Sequence, residues 1–250
     1  MVWKPVGEGV EALYLTTPIG RWVGYGVYVY RYRGLLVDTG PSKARPFPPE
    51  AEAALLTHAH EDHAGGAARL GLPTYGSAAT AGLLAAPSPL RLYRRLVWGN
   101  PAPLQVAVAE RVGPLHLLPT PGHAPDHVAL YDPERGLLFG GDLFLGVKAS
   151  LAPPGFDLKA LLESLRAVIA LKPSAFYCAH AGPVAAPLQA LRAKLDFLER
   201  KREEALGLKA KGLAPEEAVR HLFGGESPIA YLSGGEMSRL ALVKALMMEP

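Results

Sequence analysis

The chain has 250 residues, is 49% apolar and 20% charged, and carries a formal net charge of +3. That length and apolar content provide for one full core, or one core with a small appendage, and exclude a disordered chain. The mild excess of Lys and Arg is spread along the sequence, which does not argue for a nucleic-acid partner and neither favours nor excludes a phosphodiester substrate, and the single cysteine, Cys178, excludes an internal disulfide.

The first half reads as short strands separated by turns. Residues 10–16 and 23–33 are strand-like, the second run rich in Tyr and Val, and 35–37 is an apolar run ending in Asp38-Thr39-Gly40. Residues 53–57 form another apolar run that leads directly into a histidine cluster, and a Gly- and Ala-rich helix is expected over 62–70. The Pro-rich stretch 85–103 holds Tyr93, Arg94, Arg95 and Trp98, and it reads equally as a pocket wall and as a solvated loop. Strands follow at 104–109, 115–119, 128–131 and 137–139, then a helix at 158–171 and a strand at 175–178 that ends at Ala179-His180. The tail is helical, with helices expected at 188–206, 215–222 and 236–248. The expected division is a catalytic domain over 1–205 and a helical C-terminal extension over 206–250. Residues 1–11 lack the apolar core of a secretory signal, and no stretch approaches a membrane span of roughly 20 apolar residues. The expectation is a cytoplasmic protein acting on a small molecule, with neither membrane nor nucleic acid as partner; a homodimer is a general prior for soluble proteins.

The chemistry concentrates in Thr57-His58-Ala59-His60-Glu61-Asp62-His63-Ala64-Gly65-Gly66, where three histidines and an aspartate fall within six positions at a strand end. Protonated rings so close together repel, and neutral rings buried without partners are costly. A shared cation resolves both problems, because neutral imidazole is a good ligand for zinc, iron and nickel. Three later elements also place a ligand type just past a strand: Thr120-Pro121-Gly122-His123, Gly140-Gly141-Asp142 and Ala179-His180-Ala181-Gly182-Pro183. In layered α/β folds that rim is where binding groups converge. His116, His127 and His221 lack comparable context, and His127 reads as a supporting or surface residue.

Taken in order, these motifs resemble those of the metallo-β-lactamase superfamily, whose opening motif also matches Leu36-Val37-Asp38-Thr39-Gly40. The resemblance spans residues 10–184 and implies an αββα sandwich with a metal site at one edge of the two sheets. It implies His58, His60 and His123 on a first ion, Asp62, His63 and His180 on a second, Asp142 bridging the two, and Asp38 in support. Two Zn2+ per chain are expected, although Fe or Mn also fits the donors. Two divalent ions set against Asp62, Asp142 and a bridging hydroxide leave the site cationic, which suits an anionic intermediate. Asp62 is the expected catalytic residue, orienting the hydroxide or passing a proton to the leaving group.

The expected reaction is hydrolysis of an ester, thioester or lactone. The alternatives are a mononuclear iron persulfide dioxygenase using His58, His123 and Asp142, and a phosphodiesterase or nuclease. His60 stands where oxygen-reducing relatives carry a carboxylate, and no Gly-x-Gly-Arg follows Asp142 as it does in glyoxalase and persulfide-oxidising relatives. Leu232-Ser233-Gly234-Gly235-Glu236 resembles the signature of ABC-type ATPases, but the chain has no Gly-x4-Gly-Lys-Ser/Thr phosphate loop to go with it. Ser233 and Glu236 read instead as a capping box opening the last helix, with the extension packed near the substrate entrance.

Overall fold

A computed structural model describes residues 2–248. Met1, Glu249 and Pro250, at the ends of the expected divisions 1–205 and 206–250, lie outside the described residues. The first sheet runs in chain order through β1 (Lys4–Pro5), β2 (Val10–Leu15), β3 (Val27–Tyr32), β4 (Leu35–Val37), β5 (Ala53–Leu55), β6 (Thr74–Gly76) and β7 (Ala107–Val108). Its pairs are antiparallel up to β4 and parallel beyond it. The second sheet holds β8 (Arg111–Val112), β9 (Leu115–Pro119), β10 (Val128–Asp132), β11 (Leu137–Phe139), β12 (Ala175–Cys178) and β13 (Gly182–Val184), of which only β11 and β12 pair in parallel.

Alternation along β3 shows how the layers form. Val27 and Val29 face outward into a cluster with Leu36 and Phe47, while Tyr30 and Tyr32 face the second sheet and meet Phe139. The run Leu137-Leu138-Phe139 is uninterrupted because β11 is covered on both sides: Leu137 and Phe139 face the first sheet, and Leu138 faces helices. Each such burial contributes about 1.5–3 kcal/mol.

The helices interleave with the strands. Helix α1 (Pro18–Trp22) links β2 to β3, α2 (Glu61–Ala64) and α3 (Ala67–Leu70) follow β5, and α4 (Ala78–Ala85) and α5 (Leu92–Val97) link β6 to β7. Helix α6 (Leu158–Ala170) precedes β12, and α7 (Pro187–Ala210), α8 (Pro215–Phe223), α9 (Pro228–Leu232) and α10 (Arg239–Leu246) close the chain. The αββα sandwich with a helical C-terminal extension is therefore the observed fold. Helix α7 runs unbroken through position 205, and its Leu198 and Ala205 share one core cluster with Leu222 of α8 and Leu246 of α10. No described helix is long and apolar enough to cross a membrane.

Three local expectations are corrected. The strand expected from residue 23 starts at Val27, and α1 precedes it, with Thr17 Oγ1 capping Gly20 N at 2.9 Å and Pro18 in the first turn. The helix expected over 62–70 breaks into α2 and α3 at Gly65-Gly66, where the chain presses so close to the β4 loop that a Cβ on Gly66 would lie 2.4 Å from Thr39 O. The last helix is capped by Ser238, whose Oγ accepts from Ala241 N at 3.0 Å, and not by Ser233. The reason is that Ser233 ends α9, its N–H donating to Ile229 O at 2.8 Å, and Gly234 and Gly235 follow at φ +61° and +87°, outside helical backbone, while Glu236 is held by Tyr93 Oη at 2.7 Å and Arg91 Nε at 3.0 Å.

Candidate metal centre

All seven sequence-predicted ligands come together at one rim of the sandwich. Strand β5 delivers Thr57 and His58, and α2 then carries Glu61, Asp62 and His63; the ends of β9, β11 and β12 lead to His123, Asp142 and His180. The turn after β11 needs glycine: Gly141 has φ +47°, and a Cβ there would lie 2.7 Å from His127 Nε2 and 2.9 Å from Thr57.

Two groups of donor atoms result, His58, His60, His123 and Asp142 in one and Asp62, His63 and His180 in the other, with the atoms of each within 4.8 Å of one another. In the first, His60 Nδ1 lies 2.9 Å from His58 Nε2 and 3.1 Å from His123 Nε2. Asp142 stands between the groups: Oδ2 is 3.2 Å from His123 Nε2, while Oδ1 is 3.3 Å from His63 Nε2 and 3.4 Å from His180 Nε2. Asp62 Oδ2 is 3.3 Å from His180 Nε2.

The surroundings aim the rings. His63 Nδ1 donates to Asp38 Oδ2 at 2.8 Å and His180 Nδ1 to Gly26 O at 2.8 Å, so both turn Nε2 into the site. Asp38, buried at φ +58°, also accepts from Thr57 N at 2.8 Å and so ties the motif after β4 to the one after β5. His127 is buried, not at the surface: its Nδ1 donates to Thr120 O and its Nε2 accepts from Asp142 N at 3.0 Å, which sets the backbone of Asp142. Asp126, which sequence reasoning passed over, accepts from Ala59 N at 2.8 Å between His58 and His60.

A cation fits this arrangement. His63 Nε2 and Asp142 Oδ1 are buried and have no hydrogen-bond partner among the described residues, a costly state for atoms of this polarity. The donor set, five imidazoles and two carboxylates, is one that transition-metal dications favour. The protonation pattern points the same way. Burial, then the neighbouring rings, push His58 well below the usual histidine range, and burial takes His60 down to about 4. Burial also works against a charged His63 or His180, but Asp142 and Asp62 outweigh it and hold both above that range. The same attraction keeps Asp62 and Asp142 below the usual carboxylate range against the upward push of burial. Two imidazolium–carboxylate contacts thus carry protons that a pair of cations would displace.

A pocket of about 370 Å³ opens over the cluster. Its walls come from distant segments: Tyr25, Arg94 and Trp98 on one side of the sequence, Lys148, Met237 and Arg239 on the other. Tyr25 packs edge-on against His180 with ring centroids 5.4 Å apart, and burial pushes its hydroxyl up to about 12, so it stays a neutral donor. Arg94 places the 85–103 stretch in the pocket wall, as one of its two readings expected. Arg239 of the C-terminal extension also lines the pocket, whereas Tyr231 is exposed. Tyr25 and Lys148 sit outside every motif and had no local signal.

The sequence model described as the metallo-beta-lactamase superfamily matches residues 25–180. Thioesterase pkgB of Emericella nidulans is 35% identical over 132 residues, which is 50% of this chain and 33% of that protein. The probable metallo-hydrolase YybB of Bacillus subtilis is 29% identical over 140 residues, 52% of this chain and 64% of that protein. The chain thus spans less than two thirds of either relative's own length. Among solved structures, a metallo-beta-lactamase family protein from Thermus thermophilus superposes with a TM-score of 0.71 at 22% identity, over 97% of this chain and 92% of that one. A beta-lactamase domain protein from Burkholderia ambifaria does so with a TM-score of 0.69 at 18% identity, over 98% and 87%. The family match covers more than half of the sequence and includes six of the seven clustered donors between positions 58 and 142 as well as His180 at its end, so the chain belongs to the metallo-β-lactamase superfamily.

Proposed function

We propose that this protein is a dinuclear metal-dependent hydrolase of ester, thioester or lactone bonds. The observation that carries the reading is the position of Asp142, with one carboxylate oxygen toward His123 and the other, unpartnered, toward His63 and His180. His58, His60 and His123 would hold one ion, Asp62, His63 and His180 the other, with Asp142 shared. Zinc is the proposed metal, and iron or manganese also suits the donors. When bound, such ions supply a water nucleophile ionised near neutral pH and a Lewis acid for the developing oxyanion.

The chain's own groups do the rest. Asp62 lies at the pocket surface with Oδ2 toward His180, where its carboxylate can orient the attacking water or pass that water's proton to the leaving group. Tyr25 offers a neutral hydroxyl beside the cluster, and Trp98 and Met237 give the substrate an apolar wall. The thioesterase name of one relative supports a thioester among the candidate bonds. A cytoplasmic setting and a small-molecule substrate complete the reading.

The test is hydrolysis of a panel of aryl esters, acyl thioesters and lactones by metal-loaded protein. Turnover of one class, lost by a factor of at least about 1,000 in Asp142→Ala, is the expected result. An Asp62→Asn variant that keeps both metals and full kcat would remove the proton role from Asp62. No turnover by a fully loaded protein of any class would overturn the hydrolase reading.

A further inference from the structure

The metal pocket does not end at Tyr25. A second groove, of about 370 Å³, shares Tyr14, Gly24 and Tyr25 with it and continues to Thr16, Arg21 and Arg45. Tyr14 forms an exposed aromatic wall, held by packing on Tyr28 with ring centroids 4.8 Å apart. Arg21 belongs to α1 and Arg45 to the segment between β4 and β5, so two separate elements each contribute an arginine to one groove.

Neither guanidinium has an ion pair or hydrogen bond among the described residues, and none of the six residues lining the groove is acidic. Two arginines and no acidic residue in the lining make this groove electropositive, a surface that attracts an anion. The planar, forked guanidinium suits carboxylate and phosphate oxygens in particular.

We propose that this groove is a subsite for an anionic group on the substrate, a phosphate or a carboxylate, lying at a distance from the bond cleaved at the metal centre. The proposal rests on the hydrolase reading and narrows its substrate class to elongated esters or thioesters with a charged end. The aromatic wall of Tyr14 and Tyr25 spans the interval between the two ends.

The experiment compares three thioesters with the metal-loaded protein: acetyl-N-acetylcysteamine, which is neutral, acetyl-phosphopantetheine, with phosphate on the leaving side, and succinyl-N-acetylcysteamine, with carboxylate on the acyl side. One charged thioester should exceed the neutral one in kcat/KM by about tenfold or more, as expected for charge-assisted hydrogen bonds. The ratio should fall toward one in Arg21→Gln/Arg45→Gln and at high salt, and persist in Lys148→Gln, which removes a cation that lines the metal pocket. Preference for the phosphate places the charge on the leaving group, and preference for the carboxylate places it on the acyl group. A ratio near one, or a ratio that depends on Lys148 and not on the arginines, would overturn the proposal. If no thioester is turned over, the hydrolase reading fails separately, and calorimetric titration with phosphopantetheine and with succinate decides the subsite. Binding weakened in the double arginine variant supports it, and equal binding in both proteins overturns it.

Discussion

Arg94 and Glu61 are joined by two parallel hydrogen bonds, Nε to Oε1 at 2.6 Å and Nη2 to Oε2 at 2.8 Å, inside the wall of the metal pocket. Glu61 is 1% exposed and stands between His60 and Asp62, so this pair pins α5 directly onto the metal-binding segment. Burial pushes the Glu61 carboxyl up, and Arg94 pulls the other way. Arg94→Met should leave a buried acid without its counter-charge and lower stability by about 3 kcal/mol in urea unfolding, with weaker metal retention. The double variant Arg94→Met/Glu61→Gln should recover part of that loss. Unchanged stability in the single variant would mean that α5 is held by its backbone contacts alone.

Asp38 accepts hydrogen bonds from His63 Nδ1, Thr57 N and Thr57 Oγ1 and is 1% exposed. All three partners are donors, so Asp38→Asn must point an amide N–H at one of them. Metal affinity should fall about 10–100-fold, the usual effect of losing a group that orients a liganding histidine. Competition with a chromophoric chelator measures this, and affinity equal to the parent's would show that His63 is oriented without Asp38.

Lys194 of α7 is 4% exposed, has no carboxylate partner among the described residues and donates to Ala149 O at 3.2 Å. Burial brings its ammonium down from the ordinary value of 10.5 to about 8. Between those two values the unfolded chain binds the proton more tightly than the folded one, so this residue makes stability rise with pH across that window. Below about pH 8 the charged form is buried at a cost on the order of 3 kcal/mol. Lys194→Met should therefore unfold at higher urea at pH 7 and lose the gain between pH 8 and 10. A less stable Lys194→Met would mean that the bond to Ala149, which anchors a segment lining the pocket, outweighs the burial of charge.

The ligand set was legible because a metal imposes local spacing: three imidazoles and Asp62 had to follow one strand end closely, and His123, Asp142 and His180 each had to follow another. The strands were legible for a similar reason, since Tyr30, Tyr32 and Phe139 must alternate or run together according to which faces are covered. What the sequence hid depends on contacts between distant segments. The break between α2 and α3 is set by Thr39, which takes up His63 O, and the capping role passes from Ser233 to Ser238 because Ser233 closes α9 and Gly234-Gly235 leave helical backbone. Helix α5 buries no residue of its own and is fixed through Arg94 and Tyr93, so it had no apolar periodicity to read. Thr17-Pro18 did carry a readable start signal for α1, which the neighbouring run of Val and Tyr obscured.

Elemental analysis of the purified full chain, after chelation and reloading with zinc, tests the two-ion centre most directly. Two equivalents per chain are predicted, falling toward one or none in His58→Ala and Asp142→Ala. Affinity should weaken as acid is added, beginning above pH 6.5, because protons held on His63 and His180 compete with the ions. About one equivalent, selective for iron, would contradict the dinuclear hydrolase and favour oxygen chemistry at His58, His123 and Asp142. Failure to retain any metal after reloading would contradict the metal centre itself.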